Sequence, residues 1–390
     1  MSTVHPALSP LDPLELCGSQ LFGHETGLPP LPGTPRDLHP VAALEQAMLP
    51  ALHDGPCLVA FSGGRDSSAL LAVAVRAARR EGLPDPIPLT FRFPAHPGAD
   101  ESSWQELVIR HLDLGEWEIK VIEGELGLLG PTGRSLLQRH GLLWPPHIHA
   151  VMPMLEAARN ATLIHGHDGD GVFASWHWGD YLDLLAGGRR ARPSDLRRSR
   201  KIVAPRGLLR RRIMQRMNFG APWLKPEAND ELRRRWAELN AEVPLRWDRR
   251  LSWYSSLRMV LIPIAEISML AAELNTEVCF PFADRRFISA LADFGGARGL
   301  GTRTTAMRLL FGDLLPDAVL SRTSKAGDDA AYWGSEARAF AEGWDGSGVP
   351  DDLVEKAVLR RIWSDPIAPF DSWSLLQAAW LHSQKKRRTG

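Results

Sequence analysis

The sequence predicts an α/β fold, a parallel sheet with helices on both faces, followed by a mainly helical C-terminal region. Three observations carry this. Short apolar runs of strand length alternate with helix-period segments between residues 41 and 175. Helices of that length between strands imply parallel pairing with both sheet faces covered. Beyond residue 175 the strand signals thin out and helical periodicity takes over.

Taken in order, residues 1–40 hold eight of the thirty prolines, which argues against a long helix or a central strand and predicts an irregular arm. Residues 41–52 read as a helix and 57–61 (CLVAF) as a buried strand. An Ala/Leu-rich helix follows over 67–80, stopped by Gly82 and Pro84. A second strand is predicted at 87–93 (IPLTFRF), a helix at 101–112, and a third strand at 117–122 (WEIKVI). Residues 149–159 read as helical and 161–165 (ATLIH) as a fourth strand. Residues 232–239, 251–274, 286–294, 305–315 and 373–384 carry helical periodicity. The expected division is an arm at 1–40 and one domain over 41–390. Within that domain, 41–175 is a nucleotide-binding core, 176–250 a basic helical insertion and 251–390 a helical part.

Charge and composition restrict the function classes. Lys plus Arg (46) equals Asp plus Glu (46), so the overall charge gives no reason to propose a nucleic-acid or membrane protein. Cys17, Cys57 and Cys279 lie far apart without metal-type spacing, which fits free thiols in a reducing compartment. No basic region followed by an apolar core opens the chain. The most apolar stretch, 259–265, is broken by Pro263 and is far short of the ~20 residues that span a bilayer. A cytoplasmic protein is expected.

The strongest local signal is Ser62-Gly63-Gly64-Arg65-Asp66-Ser67-Ser68, between strand CLVAF and helix SALLAVAVRAA. Two glycines allow a sharp turn and close approach to a ligand. Exposed amides at a helix start, with the helix dipole behind them, make an anion site. Ser62, Ser67 and Ser68 add hydroxyl donors, and Asp66 is suited to hold magnesium on phosphates. A Gly-rich βα turn with a Ser/Asp cap is the competing reading. Neither a Walker loop nor a Rossmann fingerprint is present.

This segment resembles the SGG-x-DS loop of the ATP-pyrophosphatases, which cleave ATP to AMP and pyrophosphate. Four later segments, in the same order, resemble the synthetase domain of the asparagine synthetase family. They are Ala99-Asp100-Glu101-Ser102; Gly166-His167-Asp168-Gly169-Asp170-Gly171-Val172-Phe173; Pro281-Phe282-Ala283-Asp284; and Leu314-Leu315-Pro316-Asp317 with Arg322-Thr323-Ser324-Lys325. The closing LLQAAWLHSQ is similar as well. The resemblance implies an adenine-nucleotide α-hydrolase-like fold with ATP and Mg2+ as cofactors. It also implies a carboxylate adenylated and then attacked by an amine. Asp66 and Asp170 would hold the metal, Gly63, Gly64 and Gly166 would face the nucleotide, and Leu89 and Phe91 would line the adenine. Lys325 would neutralise charge on the α-phosphate, the competing reading being an ordinary surface lysine.

Two positions depart from the family pattern. Gly171 stands where a second acid is usual, and Asp168 is the substitute expected for the metal. His167 stands where asparagine synthetases carry glutamate and β-lactam synthetases tyrosine, residues that prepare the attacking amine. A histidine there suits a general base, and a plain loop histidine is the alternative. Only 61 residues precede the phosphate loop at Ser62, too few for a glutaminase domain. The amine is therefore expected from ammonia, a partner, or the substrate itself, as in β-lactam synthetases and lasso-peptide cyclases. A catalytically silent nucleotide-binding relic is the rival from a different class, and Gly171 is its only support.

Residues 189–217 contain twelve Lys or Arg against one acid, Asp195. That excess marks either a docking surface for an acidic partner protein or a solvated insertion; nucleic acid is the weaker option because no aromatic interleaving accompanies it. Trp144, Trp176 and Trp178, with His147, His149 and His177, either line an acceptor pocket or fill the core. The spacings of His147, His149, His165 and His167 do not single out a zinc site.

Overall fold

The computed structural model describes residues 11–35, 38–95, 98, 100–123, 126–176, 205–216, 220–324 and 329–389. Five strands, β1 (Cys57–Ala60), β2 (Ile87–Arg92), β3 (Glu118–Val121), β4 (Thr162–Ile164) and β5 (Glu277–Cys279), form one sheet in the order β3-β2-β1-β4-β5. Every pairing is parallel. The chain steps outward from β1 to β3, then returns to the other side of β1 to begin β4. A switch point of this kind opens a crevice at the carboxyl ends of the two central strands.

Alternation along β1 explains why the sheet is covered on both faces. Val59 and its neighbours Cys57 and Phe61 enter one cluster, under helices Pro40–His53, Arg65–Arg80 and Arg285–Gly295. Leu58 and Ala60 enter another, with Leu89, Leu155, Leu163, Ile267 and Leu270. Successive strand side chains point to opposite faces, so a continuous apolar run such as CLVAF is used twice. The helix after β1 begins two residues earlier than expected, at Arg65. Gly64 takes its N-cap position and Asp66 sits in the first turn, where a carboxylate favours the helix dipole.

Three elements differ from the expectation. β5 carries no recognisable strand pattern; three residues suffice because β4 supplies its ladder, with Ile164 opposite Cys279. The helix expected over 251–274 is two helices, Trp247–Tyr254 and Arg258–Ala272. Between them Leu257 is extended and bridges His24, while Glu25 N donates to Ser256 O at 2.9 Å. A tertiary pairing thus interrupts a locally helical pattern. Residues 149–159 open as a 3-10 turn, Ile148–Val151, and continue as helix Met152–Ala157, with Pro153 tolerated in its first turn.

The proline-rich arm differs too, because it contains a helix, Pro13–Gly18. Asp12 and Glu15 form a reciprocal capping box there. Leu14, Cys17 and Phe22 are buried in a third cluster with Trp223, Trp333, Trp363 and Trp373, and Trp223 Nε1 donates to Cys17 O at 2.8 Å. Arg258, at the start of its helix, pairs with the buried Glu15 and lies 3.5 Å from Glu25. All three cysteines are free, and burial pushes each thiol up to about 12. No helix among the described residues is long and apolar enough to cross a membrane.

Removing one partner of a buried ion pair leaves the other charge without compensation. Arg258→Ala is therefore expected to lower the free energy of unfolding by about 3–5 kcal/mol. Urea unfolding read through tryptophan fluorescence checks this; a loss below ~1 kcal/mol would show the pair to be solvated.

Candidate active site

The first wall of the crevice is the turn after β1. Phe61 N donates to Leu89 O at 2.8 Å, the last sheet bond before the chain turns away. Gly63 then adopts φ +82°, a conformation that strains any residue with a side chain. Ser62 N donates to Ser67 Oγ at 3.2 Å, the two serine hydroxyls lie 3.1 Å apart, and Gly64 N reaches Ser62 Oγ at 3.3 Å. Ser68 is fully buried and its hydroxyl has no hydrogen-bond partner among the described residues. The loop is held from behind by two distant segments. Gln105 Nε2 donates to Ser62 O at 3.3 Å, and Arg322 Nη1 donates to Gly63 O at 3.0 Å. Arg322 is buried, pairs with Glu101, lies 4.8 Å over the Trp104 ring and donates to Ser324 Oγ. Lys325 itself lies outside the described residues.

The second wall is the loop after β4. Gly166 packs against Leu70 and Ser67, so this loop leans on helix Arg65–Arg80. At Gly169 an added Cβ would lie 2.7 Å from Asp66 Cγ, which leaves no room for a side chain. Short helix Gly169–Val172 carries Asp170. Asp66 and Asp170 are brought together by one cation: Arg303 Nη2 reaches Asp66 Oδ2 at 2.5 Å, and Arg303 Nη1 pairs with Asp170. Arg303 opens helix Arg303–Phe311, and its own backbone N is anchored on Ser175 Oγ at 3.1 Å. Burial pushes the Asp66 carboxyl up, against the pull of Arg303.

Magnesium is bound by one or two carboxylates together with substrate phosphates. Asp66 and Asp170 fit that requirement, since a single guanidinium reaches both and Asp66 Oδ1 is buried without a hydrogen-bond partner among the described residues. No group of three or more His, Cys, Asp or Glu is placed for a metal among the described residues. Asp168 engages Tyr254 with one carboxylate oxygen, while its Oδ2 is buried without a hydrogen-bond partner among the described residues. Its backbone is left-handed (φ +78°), and its Oδ1 accepts a hydrogen bond from the Tyr254 hydroxyl. Burial pushes the Asp168 carboxyl up to about 7, opposed by Tyr254 and Arg250.

Tyr254 also accounts for Gly171. A Cβ there would lie 1.7 Å from the Tyr254 hydroxyl oxygen and 2.1 Å from Cζ. The space that a side chain at 171 would need is filled by a tyrosine ring that bonds Asp168 instead. Arg250 completes the group, donating to Gly171 O at 3.2 Å and lying over the Trp176 and Tyr254 rings at 5.6 and 5.4 Å.

His167 lies near His165 and Phe280, at ring separations of 6.3 and 6.4 Å. Burial lowers the two imidazoles, His165 to about 3 and His167 to about 4, so both are neutral near pH 7. Leu89 is buried and its carbonyl accepts from Phe61 N; Phe91 is half-buried beside Phe93. His147 is enclosed by Tyr332, Phe370 and Trp373, and His149 is buried with Nε2 2.8 Å from Leu126 O. Trp176 is a core residue; His177 and Trp178 lie outside the described residues, as does most of the basic segment. Its described part, helix Arg206–Arg216, has no buried residue and pairs Arg210 with Glu238 of helix Pro226–Glu242. Sequence reasoning missed Arg303, Tyr254 and Arg250, which carry no motif. The departure at Gly171 was the one signal that something else fills its place.

Fold and loops together define an α/β protein in which Asp66, in the turn after β1, and Asp170, in the loop after β4, meet at the switch point of a parallel sheet. The asparagine synthase family model matches residues 42–383, and the chain belongs to that family. No curated protein matches the sequence.

Two outcomes test this geometry. Gly171→Ala is expected to destabilise the protein by roughly 1–3 kcal/mol through overpacking. Adding Tyr254→Ala is expected to recover part of that loss, so a double-mutant cycle by thermal unfolding should be non-additive. The second concerns Glu266, which accepts from Trp144 N at 2.8 Å and whose carboxyl burial pushes up to about 8. The folded state then holds a proton that the unfolded chain releases, so this carboxyl costs stability as pH rises from about 4.5 towards 8. Glu266→Gln lacks that loss, and its urea midpoint relative to the parent should rise between about pH 5 and pH 9.

Proposed function

We propose that this chain is an AMP-forming amide ligase; membership of the asparagine synthase family supports ATP-dependent amidation at the level of the family. A carboxylate oxygen attacks the α-phosphorus of ATP, the α–β phosphoanhydride bond breaks, and pyrophosphate leaves an acyl-adenylate. An amine then attacks the acyl carbon, AMP departs with the bonding electrons, and the amine loses a proton.

The observation that supports this most is the convergence of the Ser62–Ser68 turn with Asp66 and Asp170 in one crevice. The loop amides and hydroxyls are donors to phosphate. Magnesium, when bound, supplies charge neutralisation on the phosphates, with Asp66 and Asp170 as its ligands. Asp168, whose Oδ1 accepts from Tyr254, keeps its Oδ2 as a third candidate ligand. Lys325 is the cation for the α-phosphate and the acyl oxygens. His167 is the proposed general base for the attacking amine: it is unprotonated near pH 7, and burial opposes its keeping the proton it takes.

The amine comes from ammonia or from the substrate itself. One observation favours the second, a natural-product or peptide-cyclising ligase. His165, His167 and Phe280 form an uncharged wall. Such a wall suits an apolar acceptor better than aspartate.

The test is pyrophosphate release from Mg-ATP with aspartate and ammonium, with Asp66→Ala as the blank. Asp66→Ala is expected to abolish release; unchanged turnover would sink the site assignment. Release with asparagine formed establishes ammonia as the donor. ATP binding without release points to another carboxylate.

A further inference from the structure

Arg303 belongs to none of the motifs that define the crevice, yet it is the residue that closes it. It is more than 130 residues from Asp170 and more than 230 from Asp66 in sequence. Even so, its guanidinium spans both carboxylates, at 2.5 Å from Asp66 Oδ2 and paired with Asp170. Two carboxylates facing one crevice repel unless a cation stands between them. The chain supplies that cation itself.

The bridge does not satisfy every group in it. Arg303 Nε and Asp66 Oδ1 are both buried and have no hydrogen-bond partner among the described residues. A donor without an acceptor and a carboxylate oxygen without a cation are complementary to a ligand that carries both missing partners. A magnesium-bound polyphosphate is such a ligand, with phosphate oxygens for the guanidinium and metal for the carboxylate. Arg65 adds to the case. Its Nη1 donates to Thr304 Oγ1 at 3.2 Å, next to Arg303, so two guanidinium groups stand at the mouth of the loop.

We propose that Arg303 is a two-position residue, the counter-ion of Asp66 and Asp170 in the ligand-free protein and a polyphosphate-binding residue in the loaded one. It gives up the carboxylates when magnesium arrives with the polyphosphate, and pairs with phosphate oxygens beside Arg65. Magnesium without phosphate has to displace the guanidinium and gains nothing from its release, so the free ion binds poorly. The site in this way answers to the metal and the nucleotide together rather than to either alone. This inference rests on the reading of the crevice as an ATP site.

Calorimetric titration of the full chain with MgCl2 alone and with magnesium pyrophosphate tests both positions, in the parent, Arg303→Ala and Arg303→Lys. Arg303→Ala is expected to bind Mg2+ alone about tenfold more tightly or better, because the carboxylates are left uncompensated, and magnesium pyrophosphate about tenfold more weakly or worse. Arg303→Lys keeps the charge but not the fork that spans both oxygens, and should fall between the two in each titration. Unchanged Mg2+ affinity in Arg303→Ala overturns the counter-ion position, and unchanged pyrophosphate affinity overturns the phosphate position. If Arg303→Ala unfolds, the same two comparisons are made on Arg303→Lys, and parental values in both overturn the proposal. A parent that binds neither magnesium pyrophosphate nor Mg-ATP fails the ATP-site reading and with it the phosphate position. The MgCl2 titration then still decides the counter-ion.

Discussion

The parallel pairing of β1 with β4, with Leu58 opposite Leu163 and Val59 opposite Ile164, is the constraint from which the site follows. The chain leaves β1 towards β2 and reaches β4 only after building the other half of the sheet. Adjacent central strands therefore end in loops that belong to different halves, and their carboxyl ends diverge around a crevice. The contacts of Gly166 with Ser67 and of Gly169 with Asp66 are consequences of that pairing. A side chain at Gly169 would push the two loops apart and separate the carboxylates they carry.

Around this frame, arginines from the C-terminal half do most of the local fixing. Arg322 holds the carbonyl of Gly63, Arg303 the carboxylates of Asp66 and Asp170, and Arg250 the carbonyl of Gly171. Arg258 does the same for the N-terminal segment through Glu15. The planar fork of arginine suits this work, since one side chain can engage two oxygens or one oxygen and an aromatic face. Each such contact is charged and at least partly removed from water. It adds more to the uniqueness of the arrangement than to net stability, because the desolvation of both partners offsets much of the attraction.

The second loop shows how a departure at one position is absorbed by another. With glycine at 171, the Tyr254 ring closes over the backbone and its hydroxyl engages Asp168. Beyond it, two neutral histidines and Phe280 present a surface without charge. The loops around Asp66 and Asp170 are thus arginine-rich, while the His165, His167 and Phe280 cluster carries no charge near pH 7.

The amino-acid sequence by itself determined the fold class, four of the five strands, and the loops that carry Asp66 and Asp170. Those features are written in local patterns of apolar runs, glycines and helix starts, which obey short-range rules of backbone geometry. β5 escaped because three residues hold no period, and the break at Leu257 escaped because its cause is a strand-like contact with His24. The buried helix Pro13–Gly18 was hidden among prolines, one of which opens it. In the site, the partners of the motif residues were the illegible part. Nothing local joins Arg303 to Asp66, Tyr254 to Gly171 or Arg322 to Gly63. Only the tertiary structure decided these, because the contacts are made by side chains hundreds or tens of residues apart whose meeting depends on how helices pack against the sheet.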